Sequence, residues 1–142
     1  MAYNVYSLPD VKSVLYHPDV GTANLHLCGI GKITVSAAGD LSSHTATADG
    51  YVVVNRLKNN HGTITIEVPQ NSSSDEYLRK WATYLKNADS YMFALTALNI
   101  VDSMGRFTIY CENVTPQKIP DRVYDATSGM VSWVLLAAVI KE

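Results

Sequence analysis

Hydrophobic and polar positions alternate most cleanly over Gly62–Val68, where Ile64, Ile66 and Val68 share one face and Thr63, Thr65 and Glu67 the other. That period of two predicts a strand with one buried side. Together with the residues before it, the stretch Ser43–Val68 reads as a strand-like run, a polar turn at Lys58–Gly62, and this second strand, making a long hairpin. Lys32–Ser36 alternates as well, with Ile33 and Val35 inward and Lys32, Thr34 and Ser36 outward. Ala23–Cys28 sets Leu25 and Leu27 against Asn24 and His26, and Val11–Tyr16 is a short strand stopped by His17-Pro18-Asp19 and Gly21. The pattern changes to a helical period over about Asp75–Lys86, where Tyr77, Leu78, Trp81, Ala82 and Leu85 form one apolar stripe. Ser73 with Glu76 three residues on is a capping-box signature, and Asp75 and Glu76 sit where the helix dipole favours acids.

Beyond Asn87-Ala88-Asp89 the chain returns to strand-like residues. Tyr91–Val101, a turn at Asp102–Gly105, and Arg106–Glu112 read as a second hairpin, with Phe107, Ile109 and Cys111 on one side. Val114–Ile119 is a short strand limited by Pro116 and Pro120, and Ser128–Ile140 is a long last strand containing Trp133. Its run Val134–Ile140 reads as buried on both faces and falls far short of the about 20 residues of a membrane helix. The sum is about eight strands and one helix: a mainly β (α+β) fold of two packed antiparallel sheets, as a barrel or sandwich, with a flanking helix and a long projecting hairpin. One domain spanning 1–142 is expected, with residues 1–10 as an extended arm.

Composition narrows the function. Hydrophobic residues make up 47% of the 142 and charged residues 17%, which excludes a disordered chain. A net charge of −2 gives no electrostatic case for nucleic-acid binding, which needs clustered Lys and Arg. The two cysteines, Cys28 and Cys111, form neither a zinc pattern nor a disulfide framework, so a reducing compartment is expected. The start Met1–Tyr6 has no basic stretch followed by an apolar core, which predicts a soluble protein made in the cytoplasm with no membrane anchor.

Catalytic chemistry has no foothold in the pattern. His17, His26, His44 and His61 lie on different segments without metal-ligand spacing and read as surface or turn histidines. Gly29-Ile30-Gly31-Lys32 lacks the full phosphate-loop spacing and reads as a turn. Ser72-Ser73-Ser74 has no G-x-S-x-G elbow, and Asp75 and Glu76 point about 100° apart on a helix, so they cannot work as paired acid and base. No catalytic residue, metal or cofactor is expected. What stands out is strand content and a polar middle in the 43–68 unit: Asp49, Gly50, Asn55, Arg56, Lys58, Asn59 and Asn60. A hairpin with a polar tip is either solvated or docked on another subunit, which would cover its edges.

The order of strand, turn, Gly62-Thr63-Ile64-Thr65-Ile66, Gln70, Ser72–Ser74 and Tyr77-Leu78, preceded by Asp49-Gly50, Arg56 and Asn59-Asn60, resembles the tail-tube proteins of contractile-tailed bacteriophages and related phage-tail-like particles. The resemblance runs from about Asp10 to Ile140 and implies a structural, non-enzymatic virion protein, made and assembled in the host cytoplasm. Such proteins form hexameric rings stacked into a hollow tube inside a contractile sheath, with tape-measure, baseplate and tail-terminator proteins as further partners. The tube pierces the host envelope, and DNA passes through its lumen without specific binding. By that analogy Asp49, Gly50, Asn55, Arg56, Lys58 and Asn59, with the N-terminal arm, take part in stacking between rings, and Thr34, Ser36, Thr63, Thr65 and Glu67 face the lumen. Ile33, Val35, Ile64, Ile66 and Val68 then pack under Leu78, Trp81 and Leu85. Two alternatives stay open: a tube or ring of the same fold in a secretion system, tail-completion or baseplate complex, and a small β-sandwich binding module. The second is opposed by nine tyrosines spread along the chain rather than gathered in one loop.

Overall fold

A computed structural model describes residues 11–25, 31–102, 107–127 and 129–142. The described residues form β1 (Val11–His17), β2 (Gly21–Asn24), β3 (Lys32–Ala37), β4 (Ser42–Ala46), β5 (Val52–Arg56), β6 (Gly62–Pro69), α1 (Ser73–Asn87), α2 (Ser90–Phe93), β7 (Thr96–Asp102), β8 (Thr108–Pro116) and β9 (Met130–Lys141). Seven strands make one antiparallel sheet in the order β2-β1-β7-β8-β9-β6-β3, and β4 with β5 makes a separate two-stranded sheet.

The fold is mainly β and sandwich-like, and the large sheet does not close into a barrel. It curls around α1. Leu15, Ala23 and Leu25 from one end share a single core with Ile64, Ile66 and Val68 from the other. The helix spans the curl: Tyr77 donates to the Gly21 carbonyl at 2.6 Å and Ser74 to the Leu25 carbonyl at 3.3 Å, while its stripe Leu78, Trp81, Ala82 and Leu85 is buried. A cleft of about 350 Å³ lined by Val11, Ile33, Val35, Ile100 and Ile109 separates β3 from the β1–β7–β8 side.

Register carries the core. On β6, Ile64 and Ile66 lie opposite Leu135 and Trp133 of β9, and all four are buried. Gly62 opens β6 because a side chain there would run into the Ser36 carbonyl and the Ile140 side chain. The Trp81 indole donates to Thr96 Oγ1 at 2.8 Å and the Trp133 indole to Asp75 Oδ1 at 3.1 Å, so both buried tryptophans have their N–H satisfied. Asp75 also accepts from Arg79 Nε at 3.1 Å, and the guanidinium lies over the Trp133 ring.

Several boundaries differ from the sequence reading. The helix is capped one residue earlier than expected, by Ser72, which is extended and accepts from the Asp75 N–H at 3.2 Å. Strand does not start at Tyr91: Asp89 accepts from the Met92 N–H and caps the single turn α2, so β7 begins at Thr96. Val114–Ile119 is not a strand of its own. β8 continues to Pro116 through an irregularity where Asn113 takes φ 55°, a left-handed conformation that asparagine tolerates. The last strand is buried on one face only: Leu135 and Ala137 are inside, while Leu136 is 41% exposed. β2 ends at Asn24; residues 26–28 of the strand expected through Cys28, residues 103–105 of the turn expected at Asp102–Gly105, and the arm at 1–10 lie outside the described residues.

Candidate interaction surfaces

The long hairpin is not where the alternation of Ser43–Val68 put it. Lys58–Gly62 is not its turn. β4 pairs with β5 through Ala46↔Val52, His44↔Val54 and Ser42↔Arg56, so the hairpin reverses at 47–51 and the segment 57–61 leads back into β6. The reversal is fixed locally. The Thr47 N–H donates to the Tyr51 carbonyl at 2.8 Å, and Gly50 takes φ +90°, which a side chain would strain. The Thr47 hydroxyl donates to the Asp49 carboxylate, and this bond, with a weaker one from the Tyr51 N–H, holds Asp49 below the usual carboxylate range.

The hairpin has two unlike faces. Asn55 donates to Ser43 Oγ and Thr45 Oγ1 at 3.2 and 3.3 Å, tying one face into a polar ladder that Val53, opposite Thr45, interrupts. The other face carries Ala46 opposite Val52 and His44 opposite Val54, with Val54 65% exposed, and turns polar toward the base at Ser42 opposite Arg56. Leu41 and Tyr51 flank it, at 75% and 68% exposed. A two-stranded sheet with no core beneath it is marginal in water, and β-branched residues in this exposure gain nothing from solvent. At the base Asn59 Nδ2 on the Asp40 carbonyl at 2.8 Å and the Leu57 N–H on the Leu41 carbonyl tie the two arms together, and the Ile140 N–H on the Asn60 carbonyl fastens them to β9.

The residues expected to stack are therefore divided. Asp49 and Gly50 are at the tip, Asn55 belongs to the polar face, and Arg56 and Lys58 are exposed near the base. Asn59 is a tie within the chain. The apolar stripe Ala46, Val52 and Val54 was missed, although the consecutive valines of YVVVN, flanked by turn residues, are the signal that marks it.

The second set stays together. Thr34 is directly opposite Thr65, Ser36 opposite Thr63, and Lys32 opposite Glu67, all on the side of the sheet away from α1. Thr34, Ser36, Thr63, Thr65 and Glu67 thus form one polar patch on adjacent strands. Across β9 it continues into Ser132, Val134 and Leu136 and becomes more apolar.

The histidines are not a site. His17 is not a surface residue. It is fully buried, with Nε2 against the Met92 carbonyl at 2.9 Å and Nδ1 accepting from the Asp19 N–H at 3.1 Å. His44 and His61 are exposed, and His26 lies outside the described residues. Among the described residues no three His, Cys, Asp or Glu are placed to hold a metal, and no helix is long and apolar enough to cross a membrane.

The family model described as Bacteriophage PhiTE tail tube protein matches residues 3–142. Comparison with curated proteins gives no match. Among solved structures, the fold is similar to a chain in the sheath-tube complex of an extracellular contractile injection system, PVC, in its extended state. That chain is 12% identical, with a TM-score of 0.61, covering 99% of this chain and 92% of the other. It is also similar to the tube terminating cap of the anti-feeding prophage AFP, 7% identical at TM-score 0.59, covering 99% and 91%. A third likeness is to a chain in the PVC sheath/tube terminator structure, 9% identical at TM-score 0.57, covering 99% and 97%.

Proposed function

Since the chain belongs to the bacteriophage PhiTE tail tube family and is a structural subunit of a tail tube, we propose that its copies close into six-membered rings, and that the β4–β5 hairpin locks each ring to the next. The observation that carries this reading is the tip-ward half of one hairpin face: Ala46, Val52 and Val54, beside His44, stand exposed on a two-stranded sheet with no core under it among the described residues. A second copy would remove that face from water and cover the hairpin's open edges. Stacking of identical units through unlike surfaces is the geometry that grows a filament rather than a closed dimer.

On this reading the open edges of the large sheet join neighbouring subunits around the lumen, and the patch Thr34, Ser36, Thr63, Thr65 and Glu67 lines it. The patch carries hydroxyls and one carboxylate, with Lys32 opposite that carboxylate and no cluster of cations, a lining that lets DNA pass without holding it. The outer side meets the sheath, while tape-measure, baseplate and terminator proteins meet the open ends. The work is mechanical rather than catalytic, and assembly takes place in the host cytoplasm.

A second reading is a ring that ends a tube rather than building it, favoured by likeness to a cap and to a chain of a terminator structure. One experiment addresses both. The V52S/V54S double variant changes only exposed side chains, so its thermal midpoint should stay within a few degrees of the parent. In negative-stain electron microscopy the parent should form long hollow tubes and the variant only rings or monomers. Tubes of normal length from the variant would remove the hairpin from the stacking contact. Parent protein that stops at single rings would favour the terminating ring.

A further inference from the structure

A groove of about 460 Å³ runs between the C-terminal half of α1 and the chain leaving β8. Its apolar lining comes from Leu85 of α1, Phe93 of α2, Pro116 at the end of β8, and Ile119 beyond it. Phe93 is 41% exposed, so the groove presents an aromatic ring to whatever enters. Lys86 and Lys118 line it as well, from separate segments, and no carboxylate does. Among the described residues neither lysine is in an ion pair. Lys86 is in the last turn of α1, where the helix dipole accounts for a positive charge. Lys118 has no such explanation, and it brings a second cation to the same apolar slot.

We propose that this groove seats a segment of the surrounding sheath subunit in which apolar side chains enter the slot and carboxylates meet Lys86 and Lys118. The partner's chemistry follows from charge complementarity: an apolar floor bearing two unpaired cations favours an acidic amphipathic segment and disfavours a basic one. The partner's location rests on the tube reading above. α1 covers the face of the sheet opposite Thr34, Thr63 and Thr65, so if those residues line the lumen, the groove opens on the outer wall.

The test measures binding of the purified sheath subunit from the same particle to immobilised protein, in whatever assembly state, with tube formation scored separately by electron microscopy. K86E/K118E alters two exposed side chains and should leave the thermal midpoint and the tubes unchanged, yet weaken sheath binding on the order of tenfold or more. F93S should weaken it without any change of charge, and raised salt should weaken binding to the parent. Equal binding by parent and K86E/K118E, or none by either, overturns the proposal. So does a K86E/K118E protein that no longer forms tubes, because the groove would then be covered by a neighbouring copy. Lysine-dependent sheath binding by a parent that never forms tubes would sink the stacking scheme and leave this docking site standing.

Discussion

At the scale of single residues, Asp75 has two roles, and sequence exposes only one. Its place in the first turn of α1 marks it as an acid that complements the helix dipole. Its contacts with Trp133, 58 positions away, and with Arg79 make it the centre of a buried cluster, which no local pattern announces. Arg79 is largely buried, and among the described residues Asp75 is its one ion-pair partner while its Nη2 has no hydrogen-bond partner. Removing one partner of a buried pair strands the other. D75A should therefore lose about 3–5 kcal/mol in urea unfolding. D75N keeps an acceptor for the Trp133 N–H and should lose less. Equal losses in the two variants would mean that charge has no part in the cluster.

Cys111 gives a residue-scale prediction about pH. Burial pushes its thiol up to about 11, against an ordinary 9.0. The folded chain thus holds that proton more tightly than the unfolded chain. Between pH 9 and 11 the unfolded state loses its proton first, so stability falls as pH rises through that window, by up to roughly 2–3 kcal/mol. Tyr77, pushed up to about 12 by burial, adds a similar loss beginning above pH 10. In denaturant titrations at pH 8, 9 and 10, C111A should start less stable than the parent because of its cavity, yet show a shallower decline. Parallel declines would mean that Cys111 does not titrate differently in the two states.

At the scale of elements, period was legible and pairing was not. β6 and α1 stand out because a half-buried strand and a helix packed on a sheet must repeat at 2 and about 3.6 residues. Their positions agree closely with the sequence reading. The hairpin was misplaced for a physical reason. Where nothing packs against either face, no side has to be apolar, so Ser42–Arg56 shows little alternation and its turn cannot be located from burial. Thr47, Asp49 and Gly50 do carry turn chemistry, but Lys58–Gly62 carries as much of it. α2 was hidden similarly: a single turn buries too little to leave a period, and Asp89 is its one local mark. β8 was divided at Asn113, where the strand runs through an irregularity with φ 55° and the alternation of Phe107, Ile109 and Cys111 loses its phase, and Pro116 closes the strand, where a missing N–H costs little.

At the scale of the whole molecule, the polar patch on the back of the sheet is where sequence reached furthest. Thr34, Ser36, Thr63, Thr65 and Glu67 were grouped from alternation on two separate segments, and antiparallel pairing of β3 with β6 makes them direct neighbours. What alternation cannot say is which side of an assembled wall that face becomes. T65K/E67K asks the question. It adds two cations per subunit and removes one carboxylate. These side chains lie on the face away from α1, clear of the hairpin, so folding and tube length should hold. If the face lines the lumen, each stacked ring presents a band of new phosphate contacts, and salt-sensitive binding accumulates along the tube. DNA release from assembled particles should then slow, and the delay should shrink as salt is raised from about 50 to 200 mM, because counterion release weakens each contact. Release at the parent rate with normal tubes would put the face elsewhere. Loss of tubes would put it at the contact between subunits.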